Sequence, residues 1–157
     1  MRETIESWLK KSAQKLRNAK IESSQLDAEL ILANILKVER TFLHANPQKK
    51  LSKTLVFHAN NFLNKRLKRI PLAYIFREKE FFGRTFFVNE NVLVPRPETE
   101  TLIEITKKIA KNGDKILDVG TGSGIIPITL KAELGKNIDF FASDISLQAL
   151  SVANLNA

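Results

Sequence analysis

The chain has 157 residues, with 43% apolar and 27% charged side chains and a net charge of +8, a length that fits one domain, or a small one plus part of another, and a globular rather than a disordered balance. It has no cysteine, which excludes a disulfide framework, a thiolate metal site and a cysteine nucleophile. The first residues carry Arg2, Glu3 and Glu6 with no long apolar run, so neither a signal peptide nor a membrane span is expected, and a soluble, cytoplasmic protein is.

Charge divides the chain. Residues 1–70 hold 15 Lys/Arg against 6 Asp/Glu, and residues 71–157 hold 10 against 11. The basic part could attract an acidic protein surface or nucleic acid, or be a plain solvated lysine surface.

In residues 1–70, Ile5, Trp8, Leu9 and Leu16 recur at helical spacing. Ser23 and Ser24 followed by Asp27 predict a helix start, with Leu26, Leu30, Ile31, Ala33 and Leu36 as its apolar stripe. Asn46-Pro47 breaks the chain, and Ser52 is placed to cap a helix carrying Leu55, Val56, Phe62, Leu63 and Leu67. A small helical bundle over 1–70 follows, with Trp8 in its core. His44 and His58 are too few for a metal site, and none is predicted.

Residues 71–97 read as an interdomain linker. Phe81 to Val88 surround Gly83 with β-formers and predict a hairpin, and Val92-Leu93-Val94 a further short strand before Pro95 and Pro97. From residue 98 the pattern becomes helix, strand, helix, strand, helix. Leu102, Ile105 and Ile109 mark the first helix, Lys115 to Val119 a strand, Ser123 to Leu134 a helix, Ile138 to Ala142 a strand, and Ser146 a last helix start. This is the beginning of a parallel α/β sheet. Two such strands leave edges and a face without cover, so the chain reads as cut short.

The strongest chemical signal is Asp118-Val119-Gly120-Thr121-Gly122-Ser123-Gly124 between a strand and a helix. Glycines there let a ligand approach the backbone at the carboxyl end of a parallel strand. Dinucleotide loops follow Gly-x-Gly-x-x-Gly, whereas here the third glycine comes one residue early and Ile125 takes its place. An acid opening the loop suits the ammonium group of S-adenosylmethionine (SAM) better than a pyrophosphate. Asp144 ends the next strand, 20 residues beyond Gly124, where a carboxylate can accept from ribose hydroxyls. SAM is the preferred cofactor, with NAD or another nucleotide the alternative.

Val94-Pro95-Arg96-Pro97-Glu98-Thr99-Glu100 just before this loop resembles the signature of the HemK-type release factor glutamine methyltransferases. Pro71 to Ile75, Glu80 to Val88 and Ser24 to Leu30 are similar to other parts of that family. The resemblance implies a substrate-recognition bundle over 1–70, the linker over 71–97, and the start of a Rossmann-like class I methyltransferase domain over 98–157, in all α + α/β. It implies methyl transfer from SAM to the glutamine amide nitrogen of the Gly-Gly-Gln motif in peptide-chain release factors. Asp118, Gly120, Thr121, Gly122, Ser123, Gly124 and Asp144 would bind the cofactor, and Arg96, Pro97, Glu98 and Thr99 would line the pocket beside it. Arg77 stands where the family usually has glycine. The family's Asn-Pro-Pro-Tyr substrate motif occurs nowhere in the chain, so no catalytic residue is assigned and residues 1–157 alone are expected to be inactive. A monomer is expected, without membrane or metal. Two other readings stand: a nucleic-acid amino-group methyltransferase, favoured by the basic half, and a non-enzymatic module that binds a release factor.

Overall fold

The structure, a computed structural model, describes residues 3–135 and 137–157; Arg2 lies outside them. The chain forms two compact units, Met1–Phe76 and Arg77–Ala157.

The first unit is helical: α1 (Ile5–Asn18), α2 (Ser24–Leu36), α3 (Arg40–Ala45), α4 (Lys53–Leu67) and α5 (Leu72–Phe76). Thr4 starts α1 by a capping box in which its hydroxyl accepts from the Ser7 amide and Ser7 accepts from the Thr4 amide. The next two orphan donors of α1, the amides of Ile5 and Glu6, bond to the carbonyls of Lys49 and Pro47. The Asn46-Pro47 break thus folds back to close the start of the first helix. Ser52 caps α4 by accepting from the Leu55 amide at 3.2 Å. Ser23 occupies the N-cap of α2 but makes no side-chain cap bond, and Asp27 turns instead to Arg66, Oδ2 to Nε at 2.6 Å. The core gathers Ile5, Trp8, Leu16, Ile31, Leu32, Leu43 and Leu63. Trp8 finds its polar partner in Asn60, which accepts from the indole N–H at 3.0 Å. The helix at Leu72–Phe76 falls within this unit.

The second unit runs β1 (Glu78–Phe81), β2 (Arg84–Phe87), α6 (Thr99–Ile109), β3 (Lys115–Val119), α7 (Ile125–Leu134), β4 (Asp139–Ser143) and α8 (Leu147–Asn156). β1 and β2 are an antiparallel hairpin with Glu78 opposite Phe87 and Phe81 opposite Arg84. Its turn residues Phe82 and Gly83 both have positive φ, +50° and +70°, as the right-handed twist of two-residue hairpins demands. Glu100 Oε1 accepts from the Phe82 amide at 3.0 Å and holds that turn. Arg84 and Lys107 reach the two oxygens of Glu133 at 2.8 and 3.0 Å, and these cations, with their hydrogen bonds, hold its carboxyl below the ordinary carboxylate range. β3 and β4 pair in parallel, Lys115 with Asp139 through Val119 with Ser143, joined by the α7 crossover. This is the expected Rossmann-like segment. Phe81, Phe86, Ile103, Ile125 and Leu130 form its core.

One expectation fails here. Val92-Leu93-Val94 is not a strand. The Val92 amide bonds to the Asn89 carbonyl in a turn, and Pro95 and Pro97 cannot donate to a ladder. The helix expected from about Ser123 is α7, which begins at Ile125 because Gly124 is still left-handed at its N-cap. One sheet face stays uncovered among the described residues: Leu117 and Val119 of β3 and Phe141 of β4 are 60%, 77% and 52% exposed.

Candidate functional site

The glycine loop crosses the carboxyl end of β4. The amides of Gly120 and Thr121 both donate to the Ser143 carbonyl, at 2.8 and 2.9 Å. The next free turn of backbone is taken by Asp144, whose Oδ2 accepts from the Gly122 amide at 2.9 Å while Oδ1 accepts from the Ser146 amide at 2.9 Å. Loop and acid, read separately in the sequence, are therefore one bonded unit. The amide bonds from Ser146 and Gly122 outweigh desolvation and hold the Asp144 carboxyl below its ordinary value, so it is ionised at neutral pH. A further backbone contribution comes from Ile145, so the carboxylate is held mainly by main-chain N–H groups.

The three loop glycines do different work. All have positive φ: +79° at Gly120, +55° at Gly122 and +74° at Gly124. A Cβ added at Gly120 or Gly122 would meet nothing within 4 Å, but one at Gly124 would meet Ile128 Cδ1 at 3.0 Å and Ala153 Cβ at 3.1 Å. Gly120 and Gly122 front open space. Gly124 lacks a side chain because α7 and α8 approach there.

Two polar atoms of the loop are buried without a hydrogen-bond partner: Oδ2 of Asp118 and Oγ1 of Thr121. An unpaired buried carboxylate oxygen is costly and calls for a donor or a cation. The ionised Asp144 beside the loop favours a cation there over a pyrophosphate. Ser123 is buried, and its carbonyl accepts from Asn156.

Arg96, Pro97 and Glu98 are exposed and Thr99 is half-buried. They form the turn that opens α6, with the Thr99 amide on the Arg96 carbonyl at 3.1 Å and the Glu100 amide on the Pro97 carbonyl at 2.9 Å. Among the described residues their side chains make no hydrogen bond to the glycine loop. A cavity of about 620 Å³ lies elsewhere, along the outer edge of β4 between α7 and α8. It takes in Gly124 but not Asp118, Gly120, Gly122 or Asp144; the open glycines and the orphaned carboxylate mark the chemistry better than its volume does. Sequence reasoning missed Glu100 as the anchor of the hairpin turn and Asn156 altogether, since neither bond has a spacing rule.

In the helical unit His44 Nε2 lies 3.4 Å from Glu29 Oε2, which Arg40 also holds at 2.6 Å. Burial pushes the Glu29 carboxyl up, but bonds from Gln25 and Arg40 and the charges of His44 and Arg40 prevail and leave it lowered. Among the described residues no three His, Cys, Asp or Glu side chains are grouped to hold a metal ion, and no helix is long and apolar enough to cross a membrane.

Residues 7–76 match the family model of the PrmC N-terminal domain, and residues 96–157 that of ribosomal protein L11 methyltransferase. A release factor glutamine methyltransferase of Leptospira interrogans is 42% identical over 158 residues, covering 99% of this chain and 55% of the relative. One from Bacillus cereus is 40% identical over 134 residues, 82% of this chain and 47% of the relative. A bifunctional methyltransferase of Rickettsia bellii is 35% identical over 185 residues, the whole of this chain and 33% of the relative. The chain spans about half the length of the release factor enzymes it matches.

Proposed function

We propose that the chain, similar to release factor glutamine methyltransferases over about half their length and to the PrmC N-terminal domain over residues 7–76, belongs to that family and serves methyl transfer from SAM to a glutamine side-chain amide in the Gly-Gly-Gln motif of a peptide-chain release factor. The observation that carries the cofactor assignment is the Asp144–Gly122 bond, which closes a loop with two open glycines and an orphaned carboxylate oxygen. In this reading Gly120, Thr121, Gly122, Ser123 and Gly124 shape the seat for the methionine end. Asp118 faces the ammonium, and Asp144 accepts from the ribose hydroxyls. SAM supplies, when bound, an electrophilic methyl group on sulfur. The chain's own part is to hold that donor still, since an amide nitrogen is a weak nucleophile and catalysis rests on orientation and electrostatics. Arg96, Pro97, Glu98 and Thr99, on a turn stiffened by two prolines, line the approach. The helical unit recognises the protein substrate in the cytoplasm, with its excess of basic residues steering the encounter.

No Asn-Pro-Pro-Tyr run occurs in residues 1–157, so this polypeptide by itself binds cofactor without turnover. Incubating labelled SAM and a release factor with a protein that carries these residues joined to a carboxyl-terminal half containing that motif should label the glutamine, and residues 1–157 alone should not. Labelling by the short chain at a comparable rate, or none by the longer one, contradicts the reading. The basic helical unit also supports a second reading, methylation of an amino group in nucleic acid. A steep fall of RNA or DNA affinity with salt, joined to labelling of nucleic acid, would favour it.

A further inference from the structure

Asn156 stands in the last turn of α8, and its carboxamide makes three hydrogen bonds to two segments far away in the chain. Oδ1 accepts from the Phe87 amide at 2.7 Å, and Nδ2 donates to the Phe87 carbonyl at 3.0 Å and to the Ser123 carbonyl at 2.8 Å. Both backbone groups of Phe87 are thus met by one side chain, as a neighbouring strand would meet them. The second amide proton reaches the middle of the glycine loop.

The loop is then held at three successive residues. Asp144, just before α8, accepts from the Gly122 amide; Asn156 donates to the Ser123 carbonyl; Ala153 lies where a Cβ on Gly124 would meet it at 3.1 Å. We infer that Asn156 is a positioning residue, which fixes the Ser123 carbonyl against the hairpin and so keeps Gly120 and Gly122 turned toward the ligand. The inference rests on the reading of this loop as the cofactor seat. A neutral carboxamide suits the place because it alone offers two N–H donors and one acceptor on a single plane. A carboxylate would keep the acceptor for Phe87 but would set negative oxygen against two carbonyls.

Amide hydrogen exchange by NMR on the chain, with S-adenosylhomocysteine titrated by calorimetry, tests this in Asn156→Ala and Asn156→Asp. The Gly122 amide is not bonded to Asn156, so its exchange reports the loop rather than the lost bond. In both variants it should quicken about tenfold, the equivalent of one hydrogen bond, while the amides of Leu117 and Phe141 keep their rates. Asn156→Asp should preserve protection at the Phe87 amide. S-adenosylhomocysteine should bind about tenfold more weakly to each variant. Unchanged Gly122 exchange in Asn156→Asp overturns the inference, as does a loss of protection throughout the unit in both variants, which would make Asn156 a stability residue. If the unsubstituted chain does not bind S-adenosylhomocysteine, the cofactor reading fails, and Gly122 exchange still decides the role of Asn156.

Discussion

In the helical unit Trp8, Ile31, Leu32 and Leu63 are buried among α1, α2 and α4, and even the buried carboxylates Asp27 and Glu29 have cationic partners. In the α/β unit Leu117, Val119 and Phe141 stand on an open sheet face, and the loop keeps two polar atoms buried and unpaired. The first unit spends its sequence on closing a core. The second leaves polar atoms unsatisfied beside its glycine loop and its apolar sheet face open. Stability and function are thus unevenly placed, and substitutions should separate them.

Trp8→Ala gives the largest effect. It removes the largest side chain of the closed core and should destabilise the helical unit by about 3–5 kcal/mol, seen as a lower urea midpoint for amides of residues 3–76, with the Leu117 amide unmoved. A shift of both units together would break the comparison. Gly124→Ala comes next: a positive φ and a 3.0 Å contact should together cost the α/β unit about 2–4 kcal/mol. Gly122→Ala has only the φ penalty, about 1–2 kcal/mol, but should lose the ligand, so stability and binding rank the two glycines in opposite orders.

Glu29→Gln should cost the helical unit about 1–3 kcal/mol at neutral pH. Glu29 is held below its ordinary value, so its contribution is full above the unfolded pKa and is lost as pH falls through the lowered one. The urea midpoints of the parent and Glu29→Gln should therefore converge on acidification, and a constant gap would contradict the assignment. Leu117→Ser, on the open face, should stay within about 0.5 kcal/mol; a cost like that of a core residue would mean the face is covered in solution.

Much of this was legible. Trp8 at helical spacing is in the core, and Ser52 and Ser146 cap α4 and α8. The Asp118 to Gly124 run lies between strand and helix, and Asp144 follows the next strand. These features depend on local chemistry, where residue type and spacing suffice. Features set by packing were not legible. Leu102, Ile105 and Ile109 find α6 by their period, yet all three are exposed and Ile103 is the buried residue, because period identifies a helix while neighbours choose its face. Val92 to Val94 has strand composition but two prolines beside it. Gly124 looks like its loop partners in sequence, and only Ala153 reveals its different task. The bonds of Glu100 to Phe82 and of Asn156 to Phe87 and Ser123 are long-range and follow no motif.

The central claim is that the loop from Asp118 to Gly124 and Asp144 form one cofactor seat. Titrating S-adenosylmethionine into the labelled chain, with amide shifts followed by NMR, tests it most directly. Saturable shifts are expected at Gly120, Gly122 and Asp144, reproduced by S-adenosylhomocysteine and abolished by Asp144→Ala. Shifts that appear with NAD instead, or that never include Gly122 and Asp144, would contradict it.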